Sequence, residues 1–144
     1  MTIRPRAVRA LKDARSKLRD LAAASSAAAN DTRDQMHLAV VRECDKLEEY
    51  LDQASDELTG VRNVHELGRV AETTGVYRMD ILDAEARRNA AQKLAEAAAD
   101  RLRDSSRALR RAEKLEEHVL ETRAKAEAVA DQKLTDDLVS SRRR

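Results

Sequence analysis

"GVRNVHELGRVAETTG", residues 60 to 75, contains all three glycines of this chain. The single proline is Pro5, no Gly or Pro stands between it and Gly60, and none follows from Val76 to Arg144. Gly and Pro are the residues that helix interiors tolerate least, so long stretches without them read as unbroken helix and their cluster reads as the turn. Pro5 suits a first helical turn, where a missing N–H costs nothing. A first arm of about 50 residues would run roughly 75 Å at ~1.5 Å per residue. The sequence therefore predicts one α-helical hairpin over residues 1–144: a first arm at about 6–59, a hinge at about 60–75 and a second arm at about 76–140. "NVHELGRVAET" can also be read as a short helix capping the hairpin.

Composition agrees with an all-α, long two-helix antiparallel coiled coil. Of 144 residues 42% are apolar, largely Ala and Leu, 38% are charged and 1% are aromatic, with no Trp or Phe to fill a wide core. Apolar spacing supplies the seam. In the first arm Leu11, Ala14, Leu18, Leu21, Ser25 and Ala28 step alternately three and four residues. The pattern slips through Thr32, Met36, Val40 and Cys44, where steps of four act as a stutter, and resumes at Leu47, Leu51, Ala54, Leu58 and Val61. In the second arm the seam runs through Ile81, Ala84, Ala91, Ala95, Ala98, Leu102, Ser105, Leu109 and Ala112, with a further slip near Leu115, Val119, Thr122, Ala126 and Val129. Small seam residues let helices approach closely while burying little apolar surface per turn, so the shaft should be slender and modestly stable.

The Ala-rich clusters "LAAASSAAAN" and "AAQKLAEAAAD" suggest a register. If they face each other, residue 25 lies opposite residue 95 and the pairing centres on Gly60. A hinge there leaves the last two dozen or so residues projecting beyond the N-terminus; one centred nearer Gly68 shortens that projection.

Charge is balanced in sum, 28 Lys and Arg against 27 Asp and Glu for a net +1, so no broad field steers the chain onto nucleic acid or an anionic membrane. It is segmented instead. Arg4, Arg6, Arg9, Lys12, Arg15, Lys17 and Arg19 make the open end basic, and Glu43, Asp45, Glu48, Glu49, Asp52, Asp56 and Glu57 make the turn end acidic. "RLRDSSRALRR" forms a second basic block, and Arg142, Arg143 and Arg144 close the chain. A hairpin would bring both basic termini towards one pole. Many of these charges also read as solvated helix faces with i,i+4 pairs such as Arg123 with Glu127.

Nothing resembles an active site, and the reading is of a non-enzyme without cofactor or metal. His37, His65 and His118 stand apart from any Cys or His at ligand spacing, and the glycine-rich stretch lacks the Lys and Ser or Thr of a phosphate loop. Cys44, the one cysteine, falls on the predicted seam and reads as a small core residue. Tyr50 and Tyr77 flank the hinge, positioned to stiffen it or offer a sticky patch. The Arg-rich start imitates a transit peptide, but Asp13 and Asp20 argue against one, and neither a signal peptide core nor a membrane span is visible. The expectation is a cytoplasmic protein with no direct membrane insertion.

"YRMDILDAEARR" together with "LRRAEKLEEHVLETRAKAEAVADQKLTDD" resembles the stalk proteins of type III secretion export ATPases, the flagellar FliJ type and its injectisome counterparts of the YscO and HrpO types. Members of that family are long two-helix coiled coils of about this length. At the family's closing charged positions this chain has Glu127, Asp131, Gln132, Lys133, Asp136 and Asp137, while it is richer in Ala and poorer in aromatics than the family. The resemblance implies a bacterial protein-transport component at the cytoplasmic side of the inner-membrane export apparatus. Its tips would enter the pore of a hexameric export ATPase and promote its activity, other parts reaching the export gate protein or secretion chaperones. It places Arg4, Arg6, Arg9, Lys133, Asp136, Arg142, Arg143 and Arg144 at the ATPase end, and Arg101, Arg103, Arg107, Arg110 and Arg111 on the gate or chaperone surface. A self-associating structural coiled-coil rod or adaptor is the alternative. A nucleic-acid-binding hairpin is the weakest reading, because no aromatic residues interleave with the cations.

Overall fold

The computed structural model describes residues 4–59 and 63–142. Two helices, α1 (Pro5–Leu58) and α2 (Val64–Arg142), account for nearly all of them, with no strand among the described residues. The fold is the all-α helical hairpin that the pattern of Gly and Pro predicts. Pro5 is the first helical residue, and the carbonyl of Arg4 accepts from the N–H groups of Ala7 and Val8 at 2.9 and 3.3 Å.

The hinge is shorter than its glycines suggest. Helix α2 begins at Val64 rather than at 76, so Gly68 and Gly75 lie inside it, while α1 ends at Leu58. Gly60 lies outside the described residues. Asn63 explains the early start, since its side-chain oxygen accepts from the N–H of His65 at 3.0 Å and its carbonyl from that of Leu67 at 3.3 Å. Asn63 is thus an N-cap, with Glu66 three residues on in the acidic first turn. Each glycine weakens a helix by about 1 kcal/mol relative to Ala, too little to break one that is capped and packed against a neighbour.

The chain divides into two compact units, one of Met1–Ala23 with Arg101–Arg144 and one of Ala24–Asp100. In the second unit the buried apolar residues are Val40, Ala54, Ala91, Ala95 and Ala98, joined by Ser26. Tyr50 packs on Tyr77 with ring centroids 5.2 Å apart and planes inclined by 37°. That contact centres the pairing on residues 63 and 64, so residue 25 does not face residue 95. In the first unit the buried apolar residues are Val8 and Ala112, and the Lys12 to Glu116 pair centres the register on residue 64. No described side chain is completely buried, as expected of a seam lined by alanines.

The second-arm seam is oriented as its spacing indicates, with Ala91, Ala95, Ala98 and Ala112 buried and Ile81, Ala84, Leu102, Ser105 and Leu109 half-buried. The first-arm seam is so oriented only in its later part, where Val40 and Ala54 are buried and Met36, Leu47 and Leu58 half-buried, and not over residues 11–28. Leu18 and Leu21 are 51% and 67% exposed, and Leu11, Ala14, Ser25 and Ala28 also face solvent. Val8, Lys12, Ser16 and Arg19 take the inward positions of this stretch. The reason lies in the partner helix and not in apolarity: the inward stripe is the less apolar of the two, but it carries the cation that meets Glu116 of α2. Here Val8 and the ion pair of Lys12 fix the choice. The inward Arg19 reaches Asp20 at 2.8 Å. Cys44 is exposed and is not a core residue, whereas Val40 beside it is buried and Glu43 is half-buried.

Candidate functional site

The described charged residues singled out above as partner-binding all fall in the first unit. Near the start of α1, Arg4 and Arg6 are exposed and carry no ion pair among the described residues. Arg9 differs from them, its Nε lying 3.6 Å from Glu116 Oε1 of α2. Lys12 Nζ donates to Glu116 Oε2 at 2.6 Å. One carboxylate therefore gathers two cations of the basic end, and its side chain is only 16% exposed. The basic start of α1 is partly neutralised by the acidic "EKLEE" of α2 rather than standing as a bare cationic tip.

The hydrogen bond and charge of Lys12 hold the Glu116 carboxyl below its ordinary value of 4.5, and Glu116 in turn holds the Lys12 ammonium above its ordinary 10.5. The stabilisation from Glu116 is complete above pH 4.5 and is lost as pH falls through the lowered folded value. That from Lys12 is complete below pH 10.5 and is lost as pH rises through the raised folded value. Thermal melts should show wild type exceeding a Glu116→Gln variant by a constant margin between pH 4.5 and 10.5, shrinking outside that window. A margin unchanged well below pH 4.5 would dismiss the pair as a stability element.

The arginine block of α2 is spread around the helix. Arg101, Arg103, Arg107, Arg110 and Arg111 are all exposed. Arg107 lies 3.7 Å from Asp104, and Arg111 lines a shallow groove with Leu11, Arg15 and Leu115. These side chains present a cationic surface over about three turns, suited to an acidic partner without an apolar pocket.

Beyond this block the character of α2 changes. Every residue from Leu120 to Ser141 is exposed, including Lys133 and Asp136. Arg142 ends the helix, and Arg143 and Arg144 lie outside the described residues. Within the segment Arg123 pairs with Glu127 at 2.7 Å, and Val129, Leu134 and Leu138 are more than half exposed. Past its first turn the segment extends beyond the start of α1, with both apolar and charged side chains available. Thr122, Ala126 and Val129, which continue the apolar spacing, are all exposed; the register about residue 64 sets Thr122 against the first turn of α1 and carries Ala126 and Val129 past its start at Pro5.

Sequence reasoning missed the Glu116 cluster. Its signal was present as an acidic block in the second arm that any register near residue 64 brings beside Lys12, but the spacing left centres at Gly60 and nearer Gly68 both open and so named no partner for Lys12. Among the described residues no three of His, Cys, Asp and Glu gather as metal ligands, and no helix is long and apolar enough to cross a membrane. No protein-family model matches the chain, and neither a curated protein nor a solved structure shows significant similarity to it.

Proposed function

We propose that this chain is the central stalk of a type III protein export apparatus, which binds the hexameric export ATPase with its open end, promotes ATP hydrolysis and links the ATPase to the export gate. The observation that carries the reading is the run of α2 from Leu120 to Ser141, exposed at every residue and extending past the start of α1. A lone helix is about 10 Å across, slim enough for the centre of a ring, and this one bears both signs of charge and exposed leucines. Arg4, Arg6, Arg9, Lys133, Asp136 and Arg142 to Arg144 form the ATPase end in this reading. Arg101, Arg103, Arg107, Arg110 and Arg111 form the surface for the gate protein or for secretion chaperones. Function would then rest on salt-sensitive docking rather than on chemistry within the chain, at the cytoplasmic face of the inner membrane.

The test is the rate of ATP hydrolysis by the cognate export ATPase with the purified chain added. Stimulation is expected, falling several-fold on reversing Arg4 and Arg6 to Glu and remaining unchanged on reversing Glu48 to Lys. Arg4 and Arg6 are the cleaner targets, because changing Arg9 also disturbs Glu116. Absence of both stimulation and salt-sensitive binding would refute the proposal.

A further inference from the structure

On the side of α2 turned away from its inward seam, a second stripe runs through the second unit at heptad spacing. Gly68, Gly75 and Leu82 lie seven residues apart, as do Glu72, Met79 and Ala86 between and beyond them, and all six are exposed. Met79 is 65% and Leu82 56% exposed, and Val76 on their flank is 60% exposed. The glycines are an independent observation. Each weakens the helix that contains it, yet a Cβ at either position would meet nothing within 4 Å. No neighbour in this chain accounts for them, whereas a helix surface without Cβ atoms is what close approach of a second backbone requires.

Charge identifies that second backbone. Set antiparallel against its own copy about a two-fold axis between Met79 and Leu82, the stripe packs Met79 on Leu82 of the second copy and Gly75 on its Ala86. Arg78 on one flank then falls opposite Glu85 of the second copy, and the symmetry repeats the pair. Neither Arg78 nor Glu85 has an ion pair among the described residues. A parallel arrangement would instead place Glu72 against Glu72 at a seam position, with like charges in contact.

We propose that this outer face of α2, from Gly68 to Lys93, is a homodimer interface in which two copies pair antiparallel. The contact extends about 39 Å at ~1.5 Å per residue. With glycine and alanine along much of it, the interface belongs at the small end of stable ones, around 1,200 Å² in total, and a dimer dissociating in the micromolar range is the expectation to be tested. The inference is independent of the stalk reading, and either can fail without the other.

Sedimentation velocity of the full chain, on a Cys44→Ser background, tests it directly. The expected result is a monomer–dimer equilibrium that Met79→Glu with Leu82→Glu shifts to monomer at unchanged helical circular dichroism. Arg78→Glu should weaken the dimer at least tenfold, and adding Glu85→Arg should restore it. Under oxidation, Met79→Cys chains should cross-link to Leu82→Cys chains in a mixture, and neither variant to itself. A chain monomeric into the high micromolar range overturns the proposal, as does a dimer that survives the double glutamate variant. Cross-linking of Met79→Cys chains to one another would also overturn it, because that identifies a parallel pair.

Discussion

Ala95→Asp is expected to unfold the second unit near room temperature, lowering stability by about 3 kcal/mol in urea or thermal melts. Ala95 is 4% exposed on the seam between the helices, with Ala91 and Ala98 buried one turn to either side. A carboxylate there is short and must either stay desolvated or prise the helices apart. Ala97→Asp, on the exposed face of the same turn, is the control and should move stability by no more than about 0.5 kcal/mol. Equal losses from the two variants would mean that α2 does not pack along the Ala95 stripe.

Tyr77→Ala should be the most damaging truncation in the second unit, at about 2 kcal/mol. The core there is otherwise built mainly of alanines, which bury little area each, so the two half-buried rings contribute a large share of its apolar contact. Burial of half a ring is worth about 1 kcal/mol, and the tilted ring pair adds about another. Tyr50→Ala should cost a similar amount, and the double variant less than the sum of the two, since each single change already removes the shared contact. Additive losses in chemical denaturation would show that the rings do not act together.

The helical content was legible from composition, and the two-arm organisation from the positions of Pro5 and the glycines. The inward face of α2 was also readable, because Ala91, Ala95, Ala98 and Ala112 belong to one dominant apolar stripe. In the first arm the leucines at 11, 18 and 21 gave the stronger pattern and yet face solvent. Propensity and spacing cannot rank two weak stripes when the alternative carries Lys12, whose inward position is justified only by Glu116 on another helix. Cys44 was misread for a related reason: in a stutter the inward position shifts within a turn, and the buried and half-buried places there go to Val40 and Glu43. The charged candidate residues were identifiable as basic clusters, but not which of them are occupied. Arg9 is engaged by Glu116 and Arg107 approaches Asp104, while Arg4 and Arg6 remain open.

By itself the sequence determined that this protein is two long helices joined by one short interruption, because local backbone preferences act within a few residues and Gly, Pro and Ala state them plainly. Tertiary structure decided where the second helix starts, which stripe of the first one turns inward, and that α2 runs on exposed from Leu120 to Ser141. Those outcomes depend on the register between arms, which is set by contacts between residues far apart in the chain, Tyr50 with Tyr77 and Lys12 with Glu116, whose energies no local pattern encodes.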